Sequence, residues 1–288
     1  MPKRIHKTHR LPAIARHDKA LAKELSSIVE KARMEATHDL LSASKMNLYS
    51  SDSARRAFVA KMTNTFDGMV DEMDEAVRET GKKVAALAHK YVVEDTGTSL
   101  PLSPKRLEAA MTRLTPDGGA GTALGDALSK WTKDRVHGAA RDVWRLGKAK
   151  GWSQARCEKE FRRRLRDFAA DMHGTTYRAA NGRMVDEASY IQTLSRTMNA
   201  QLVREVYFDE ACRAGIDLVL IENVEDENVC NVCAEWDNII VSLTGNDDRF
   251  PALEEAMNDG WGHPNCRCHA EAVDYKRDAD LIDEQADR

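Results

Sequence analysis

The stretch Gly260–Val273, GWGHPNCRCHAEAV, places His263, Cys266, Cys268 and His269 within seven residues, around Pro264 and Arg267. About 30 residues upstream, Asp226–Trp236 reads DENVCNVCAEW and adds Cys230 and Cys233. A Cys-x2-Cys pair lets two thiolates of one tight turn face the same ion, and Pro264 narrows the backbone choices between the downstream ligands. Soft thiolates select zinc over magnesium or calcium. Cys230, Cys233 and Cys266 take three places of a tetrahedron. The fourth is open between His263 and Cys268, with His269 a more distant option. A catalytic zinc keeps one position for water, whereas here five good donors compete for four places, so the pattern predicts one structural Zn2+ per chain. Its task is to staple a unit of roughly 60 residues, a size at which the core alone supplies little stability. Arg267, wedged between two cysteines, is placed to offset the thiolate charge.

Outward from this knuckle the texture changes. IDLVLIENV and NIIVSL are rich in β-branched residues and too short for helices. PALEEAMND reads as a short helix opened by Pro251, and CHAEAVDY alternates like an edge strand. Upstream the chain is helical in character. Arg16 to about Ser44 is rich in Ala, Leu, Glu and Lys, without Gly or Pro. From a cap at Ser51 or Ser53 to about Tyr91, the apolar residues Phe58, Met62, Phe66, Met69, Met73, Val77, Val84, Leu87 and Tyr91 fall mostly three or four apart, which predicts a core seam. Further helices are expected over PKRLEAAMTRL (104–114), 123–147, 154 to about 179, and 185–214, the last closed by Gly215. The expected fold is mainly α: a long-helix body followed by a small, zinc-stapled α/β Cys/His knuckle domain. Along the chain this gives a basic flexible arm (1–14), a helical body (15–181), a C-terminal unit with the knuckle (182–275) and a frayed acidic tail (276–288).

The formal net charge is -4 over 288 residues, so bulk electrostatics do not draw the chain to nucleic acid or an anionic membrane. Two local patches remain as candidates for non-specific DNA contact. One is the N-terminal PKRIHKTHR, with Lys3, Arg4, Lys7 and Arg10; the other is FRRRLRD, with Arg162, Arg163 and Arg164. The plainer reading of each is a solvated arm or helix face. No run approaches the ~18 to 20 apolar residues of a membrane span, and no signal-peptide core follows the basic start. A reducing cytosol is therefore expected, in which clustered cysteines favour metal over disulfide.

Three segments together resemble a known family: ANGRMVDEASYIQTLSRTMNAQ (180–201), GIDLVLIENVEDENVCNVCAEWDNIIVSLTGNDDRFPALEEAM (215–257) and GHPNCRC (262–268). They are similar to the tailed-phage proteins called phage minor capsid protein 2, and more loosely to the phage head morphogenesis (minor head) proteins. The likeness rests on Gly182-Arg183, Tyr190, Arg196-Thr197, the Cys230/Cys233 pair and HPNCRC, and covers about 90 of the 288 residues. It implies a non-enzymatic virion protein, at the head interior or portal vertex and in the host cytoplasm during assembly. The implied partners are the portal protein and other capsid proteins, with packaged DNA touched in some relatives, and neither membrane nor small-molecule substrate. Where that family often reads Asn-Cys-Arg-His, this chain has Cys266-Arg267-Cys268, which tilts the fourth ligand toward Cys268.

Two other readings compete. A phage-associated toxin enzyme is one: an ADP-ribosyltransferase would use paired acids such as Glu158/Glu160 or Glu225/Glu227, yet such pairs arise by accident among 47 acidic residues, and a zinc nuclease would want neighbouring histidines and an open metal position, neither of which the sequence displays. A zinc-ribbon DNA binder would need basic residues around a knuckle that is instead flanked by VEDENVC and GNDDRF. Finally, Arg183 and Arg196 flank the late helix, and Arg196 is expected to reach a carboxylate or carbonyls at the knuckle, where a planar five-donor fork outperforms lysine.

Overall fold

The computed structural model describes residues 10–43, 46–98, 100–114, 121–172, 176–178, 184–224 and 229–286. They form, in order, α1 (Arg10–Ser42), α2 (Asp52–Thr96), α3 (Pro104–Leu114), α4 (Thr122–Lys150), α5 (Gln154–Asp171), β1 (Thr176–Arg178), β2 (Met184–Asp186), α6 (Glu187–Arg213), β3 (Leu218–Glu222), α7 (Asn231–Glu235), β4 (Ile240–Ser242), α8 (Leu253–Asp259), β5 (His269–Ala272) and α9 (Ala279–Ala286). The chain is mainly helical, as its composition leads one to expect.

It folds as two compact units that do not follow one another along the sequence. One comprises Met1–Leu21, Val77–Pro116 and Gln192–Arg288; the other comprises Ala22–Ala76 and Asp117–Ile191. The expected succession of a body over 15–181 and a unit over 182–275 is thus cut across, because α1 and α2 each contribute residues to both units.

In the second unit the apolar stripe of α2 does become core: Phe58, Met62, Phe66, Met69 and Met73 are all buried. With them are buried Leu25, Val29 and Leu40 of α1, Leu124, Leu128 and Val136 of α4, and Phe161 and Leu165 of α5. Helix α4 packs closely on α5 at Gly147, where an added Cβ would lie 2.5 Å from the Cys157 sulfur. The helix expected to run to about 179 stops at Asp171, and a hairpin follows in which β1 pairs antiparallel with β2. Three-residue strands are too short for a two-residue alternation to announce them. At the start of α6 the Asp186 carboxylate accepts the Ser189 N–H (3.0 Å) and hydroxyl (2.7 Å), satisfying a first-turn donor.

In the first unit, Val84, Ala85 and Ala88 of α2 pack with Ala110 and Met111 of α3 and with Leu202, Val203 and Val206 of α6. A three-stranded antiparallel sheet in the order β4-β3-β5 leaves β5 at an edge, as its alternation predicts. Successive side chains of a strand point to opposite faces. Hence Val219 and Ile221 join a core with Tyr91, Tyr207, Trp261, Cys233, Cys266 and Cys268. Leu218 and Leu220 face another with Ile240, Phe250, Val273 and Ile282.

Two expectations at the termini are corrected. Residues 1–9, including Lys3, Arg4 and Lys7, lie outside the described residues, but the helix already begins at Arg10, within the expected arm. The acidic tail is not frayed over 279–286: Ile282 of α9 is buried, and Gln285 accepts from the Ile240 N–H (2.8 Å) and donates to the Asn238 carbonyl (2.9 Å). One apolar residue and one bidentate amide anchor an otherwise charged segment.

Candidate metal centre

Cys230 is the N-cap of α7, and its sulfur accepts the Cys233 backbone N–H at 3.4 Å. The Cys-x2-Cys spacing thus sets its sulfurs at the N-cap and third position of a single helical turn. Asn223, just past β3, braces this turn by donating to the Cys233 carbonyl (2.8 Å) while its own N–H is bound by Asp237 (2.8 Å).

The opposite limb comes from the opening stretch. Helix α8 ends at Gly260 (φ 105°), Gly262 has φ 80° and Asn265 has φ 70°. Three left-handed residues in six turn the chain sharply, a conformation that glycine adopts freely and asparagine tolerates best among other residues. The Cys266 N–H closes on the His263 carbonyl at 2.9 Å.

These two limbs converge. The His263 Nε2 lies 3.2 Å from the Cys230 sulfur and 3.6 Å from that of Cys233, and the Cys233 and Cys266 sulfurs are 3.7 Å apart. Zinc bonds of ~2.3 Å to sulfur and ~2.0 to 2.1 Å to nitrogen in a tetrahedron give edges of about 3.8 Å between sulfurs and about 3.6 Å between sulfur and nitrogen. The two separations from the Cys233 sulfur match those edges, that between Cys230 and His263 is shorter, and the sulfurs are far from the ~2.05 Å of a disulfide. Cys268 joins through Cys233 and Cys266, all three ligand atoms lying within 4.8 Å of one another; Cys233 is the corner shared by both triads. All five expected ligands are therefore positioned to hold a metal ion. Cys233, Cys266 and Cys268 are buried, and Cys230 and His263 are partly covered.

The surroundings prepare these groups for a cation. The His263 Nδ1 sits 2.7 Å from the Pro264 carbonyl, which can only accept, so Nδ1 carries the proton and Nε2 presents its lone pair to the sulfurs. The Cys266 thiol is drawn down to about 5, chiefly by the hydrogen bond from Cys268 and further by the charge of Arg204. Cys268, donor in that bond, is pushed up, and burial pushes Cys233 up to about 12. Burial opposes ionisation at Cys230 as well, but the Cys233 N–H and His263 outweigh it and lower its pKa. A cluster that already favours thiolate at some sulfurs and resists it at others is what a divalent ion would level.

Arg204 is the functional neighbour that sequence reasoning missed. It lies on α6 and is 9% exposed; its Nη2 donates to the Gly262 carbonyl at 3.0 Å and its Cζ lies 5.5 Å from the Trp261 ring centre. The thiolate-balancing role expected of Arg267 has its best-placed candidate in Arg204, whose ionisation burial disfavours and Cys266, Cys268 and Cys233 support. Its signal was only helical spacing, eight residues beyond Arg196 on the same face. Arg196 itself does reach the knuckle, but through a side chain: it donates to Asn265 Oδ1 at 3.1 Å. Thr197 accepts the Asn265 N–H at 3.1 Å, and Thr193 lies 3.5 Å from its side-chain nitrogen. Helix α6 thus grips the one strained asparagine of the ligand loop. Arg183 lies outside the described residues.

Of the candidate DNA contacts, Lys3, Arg4 and Lys7 lie outside the described residues, and the others already have acidic partners. Arg10 is corrected outright: it is 3% exposed and its guanidinium forks onto Asp95, 4.6 Å above the Tyr91 ring. Asp95 also accepts from the Tyr207 hydroxyl, which in turn accepts the Ala272 N–H at 2.7 Å. This buried chain ties α1, α2, α6 and β5 together and leaves Arg10 no access to a phosphate. On α5, Arg163 pairs with Glu160 and Asp167, both at 2.7 Å, and Arg164 with Glu160 (3.3 Å) and Asp142 (3.4 Å), while Arg162 is 4.0 Å from Glu158. Glu158 and Glu160, a candidate transferase pair, are thereby taken up by arginines of their own helix; Glu225 and Glu227 lie outside the described residues.

No helix among the described residues is long and apolar enough to cross a membrane. Comparison with protein-family models, with curated proteins and with solved structures finds no match to this chain.

Proposed function

We propose that this chain is a non-enzymatic structural protein of a tailed-phage or prophage head, a minor capsid protein whose C-terminal unit is stapled by one zinc ion and docks near the portal during assembly. The observation that carries the reading is the closed character of the metal centre. Two triads, Cys230/Cys233/His263 and Cys233/Cys266/Cys268, share the Cys233 sulfur, His263 already has its second nitrogen bound to a carbonyl, and Cys233, Cys266 and Cys268 form part of a continuous apolar core. Such a site has no position reserved for water or substrate, which suits a staple rather than a Lewis acid. Cys230, Cys233, Cys266 and either His263 or Cys268 would hold the ion; it would supply folding energy to a small sheet and no chemistry.

The head-protein part of the proposal rests on the resemblance of residues 180–268, in which the knuckle, the Arg196-Thr197 pair and the HPNCRC loop recur in one order. The grip of Arg196 and Thr197 on Asn265 gives those resembling positions a joint physical purpose. The local pairing of the α5 arginines lends no support to DNA contact, so DNA is not included.

The test has two arms. Elemental analysis of the purified full-length chain should find about one zinc per molecule, and mass spectrometry of particles from the phage or induced prophage that encodes it should find the chain in a few copies per head. Metal-free protein of unchanged stability would overturn the staple. Absence from particles whose portal and major capsid proteins are recovered would overturn the head assignment.

A further inference from the structure

Beside the metal centre lies a cavity of about 550 Å³, walled by the first turns of α1, by α6 and by the knuckle. We propose that it binds a small organic anion, an oxyanion carried on an apolar stem. The volume falls in the range of small-molecule sites, roughly 300 to 1,000 Å³.

On α6 the residues that face it, Arg196, Ala200, Val203 and Arg204, follow the spacing that puts side chains along one helical face. Ile14, Val203 and Val224 supply apolar wall, and Arg267 and His269 bring further cationic or donor groups from the opposite side. The decisive group is Arg204. It is 9% exposed, yet its Nη1 is buried with no hydrogen-bond partner, although Nη2 is used by Gly262. The neighbouring thiolates account for a positive charge at this depth, but they do not take up the Nη1 hydrogens. A buried donor left unmade is costly, and a planar guanidinium presents its nitrogens as a fork suited to carboxylate or phosphate. A turn of the guanidinium toward the cavity, which Arg204 lines, would bring this donor to a carboxylate or phosphate oxygen held there.

Negative groups line the same wall: the Cys266 sulfur, whose charge Arg204 and a bound metal would offset, and Asp18. Asp18 accepts from the Asn199 side chain at 2.8 Å, and burial lifts its pKa to about 6, so it opposes an incoming anion less than an exposed aspartate would. A bare inorganic anion would leave most of the volume and all of the apolar wall unused, which is why an apolar stem is part of the assignment.

Calorimetric titration of the full-length, zinc-loaded protein with octanoate, octyl phosphate, octanol and inorganic phosphate tests this. Saturable one-to-one binding is expected for octanoate and octyl phosphate, with the tighter of the two identifying the preferred oxyanion. Octanol and inorganic phosphate should bind at least tenfold more weakly. Arg204→Met should weaken the anionic amphiphiles at least tenfold while leaving octanol unchanged. Should that variant lose its zinc, Ala200→Phe, which fills the cavity while keeping every charge, decides the matter by the same loss. Equal binding of octanol, unchanged affinity in Ala200→Phe, or no saturable binding of either anion would overturn the proposal.

Discussion

The unit formed by residues 22–76 and 117–191 and the knuckle region over 216–275 bury their interiors by different means. The first lines up Phe66, Met62, Met73, Leu128 and Leu165 along helix faces, and its described interior is mainly apolar, with Arg33, Asp39 and Thr132 as buried polar exceptions. The second has a sheet of three short strands, and alongside Val219, Ile221 and Trp261 it buries three cysteines, Glu222, Glu271 and the nearby Arg204. Helices satisfy their backbones internally and can draw stability from apolar stripes of any length. A sheet this small cannot, so groups that would be liabilities in the helical unit become useful once an ion or an opposite charge meets them. The contrast teaches that the same chain relies on transfer of apolar surface in one place and on donor chemistry in another.

The sharpest way to break that contrast is to remove the shared corner of the metal centre. Cys233→Ser, which separates the two triads, should sharply weaken metal binding and expose the backbone amides of β3 and β5 to rapid hydrogen exchange, while α4 and α5 keep their protection. Because structural zinc supplies an apparent ~10 to 16 kcal/mol in small domains, this is the largest effect expected. Uniform loss of protection in both regions would show that the helical unit also depends on the metal.

The converse substitution is Phe66→Ala, which removes a side chain that is 0% exposed. A loss of about 3 to 5 kcal/mol is expected from the cavity left behind, read as a lower denaturation midpoint with the zinc content unchanged. Loss of zinc together with the midpoint would mean that the two regions are not independent.

The smallest effects sharpen the picture at the ligand loop. With φ at 70°, Asn265→Ala should cost about 1 to 2 kcal/mol by forcing a Cβ-bearing residue without local hydrogen bonds into the left-handed region, whereas Asn265→Gly should recover part of it. In the same loop Arg196→Lys should lower stability more than Arg163→Lys, since the former loses its aim at Asn265 and the latter sits among exposed pairs that contribute little. Equal effects at Arg196 and Arg163 would mean that the apolar face of α6 alone holds the loop.

Much of this was legible in the chain itself, for reasons that differ by element. Pro104 opening α3, the stripe from Phe58 to Tyr91, and Gly215 (φ 80°) closing α6 are local signals, and the structure follows them. The start of α1 was misplaced because Arg10 is ordered by Asp95, 85 residues away, and the run of basic residues around it suggested an arm instead. The tail was read as frayed because its charges are local, while the pocket receiving Ile282 is assembled from β3, β4 and Phe250. The hairpin of β1 and β2 offered too few residues for any period to emerge.

At the metal centre the division is the same. Residue type and spacing within two short stretches were enough to nominate Cys230, Cys233, His263, Cys266 and Cys268, because ligands from one turn must lie close in sequence. What no spacing could announce is that Arg204 would be buried against Gly262, 58 residues on, or that Thr193, Arg196 and Thr197 would grip Asn265 across nearly 70. Sequence by itself determined the helices, the strands rich in β-branched residues and the donor set, since propensity and ligand spacing act over a few residues. Only tertiary structure decided which charges were buried, which loop conformation was strained and where a cavity remained, since burial and electrostatic pairing depend on segments whose separation along the chain carries no information about their distance in space.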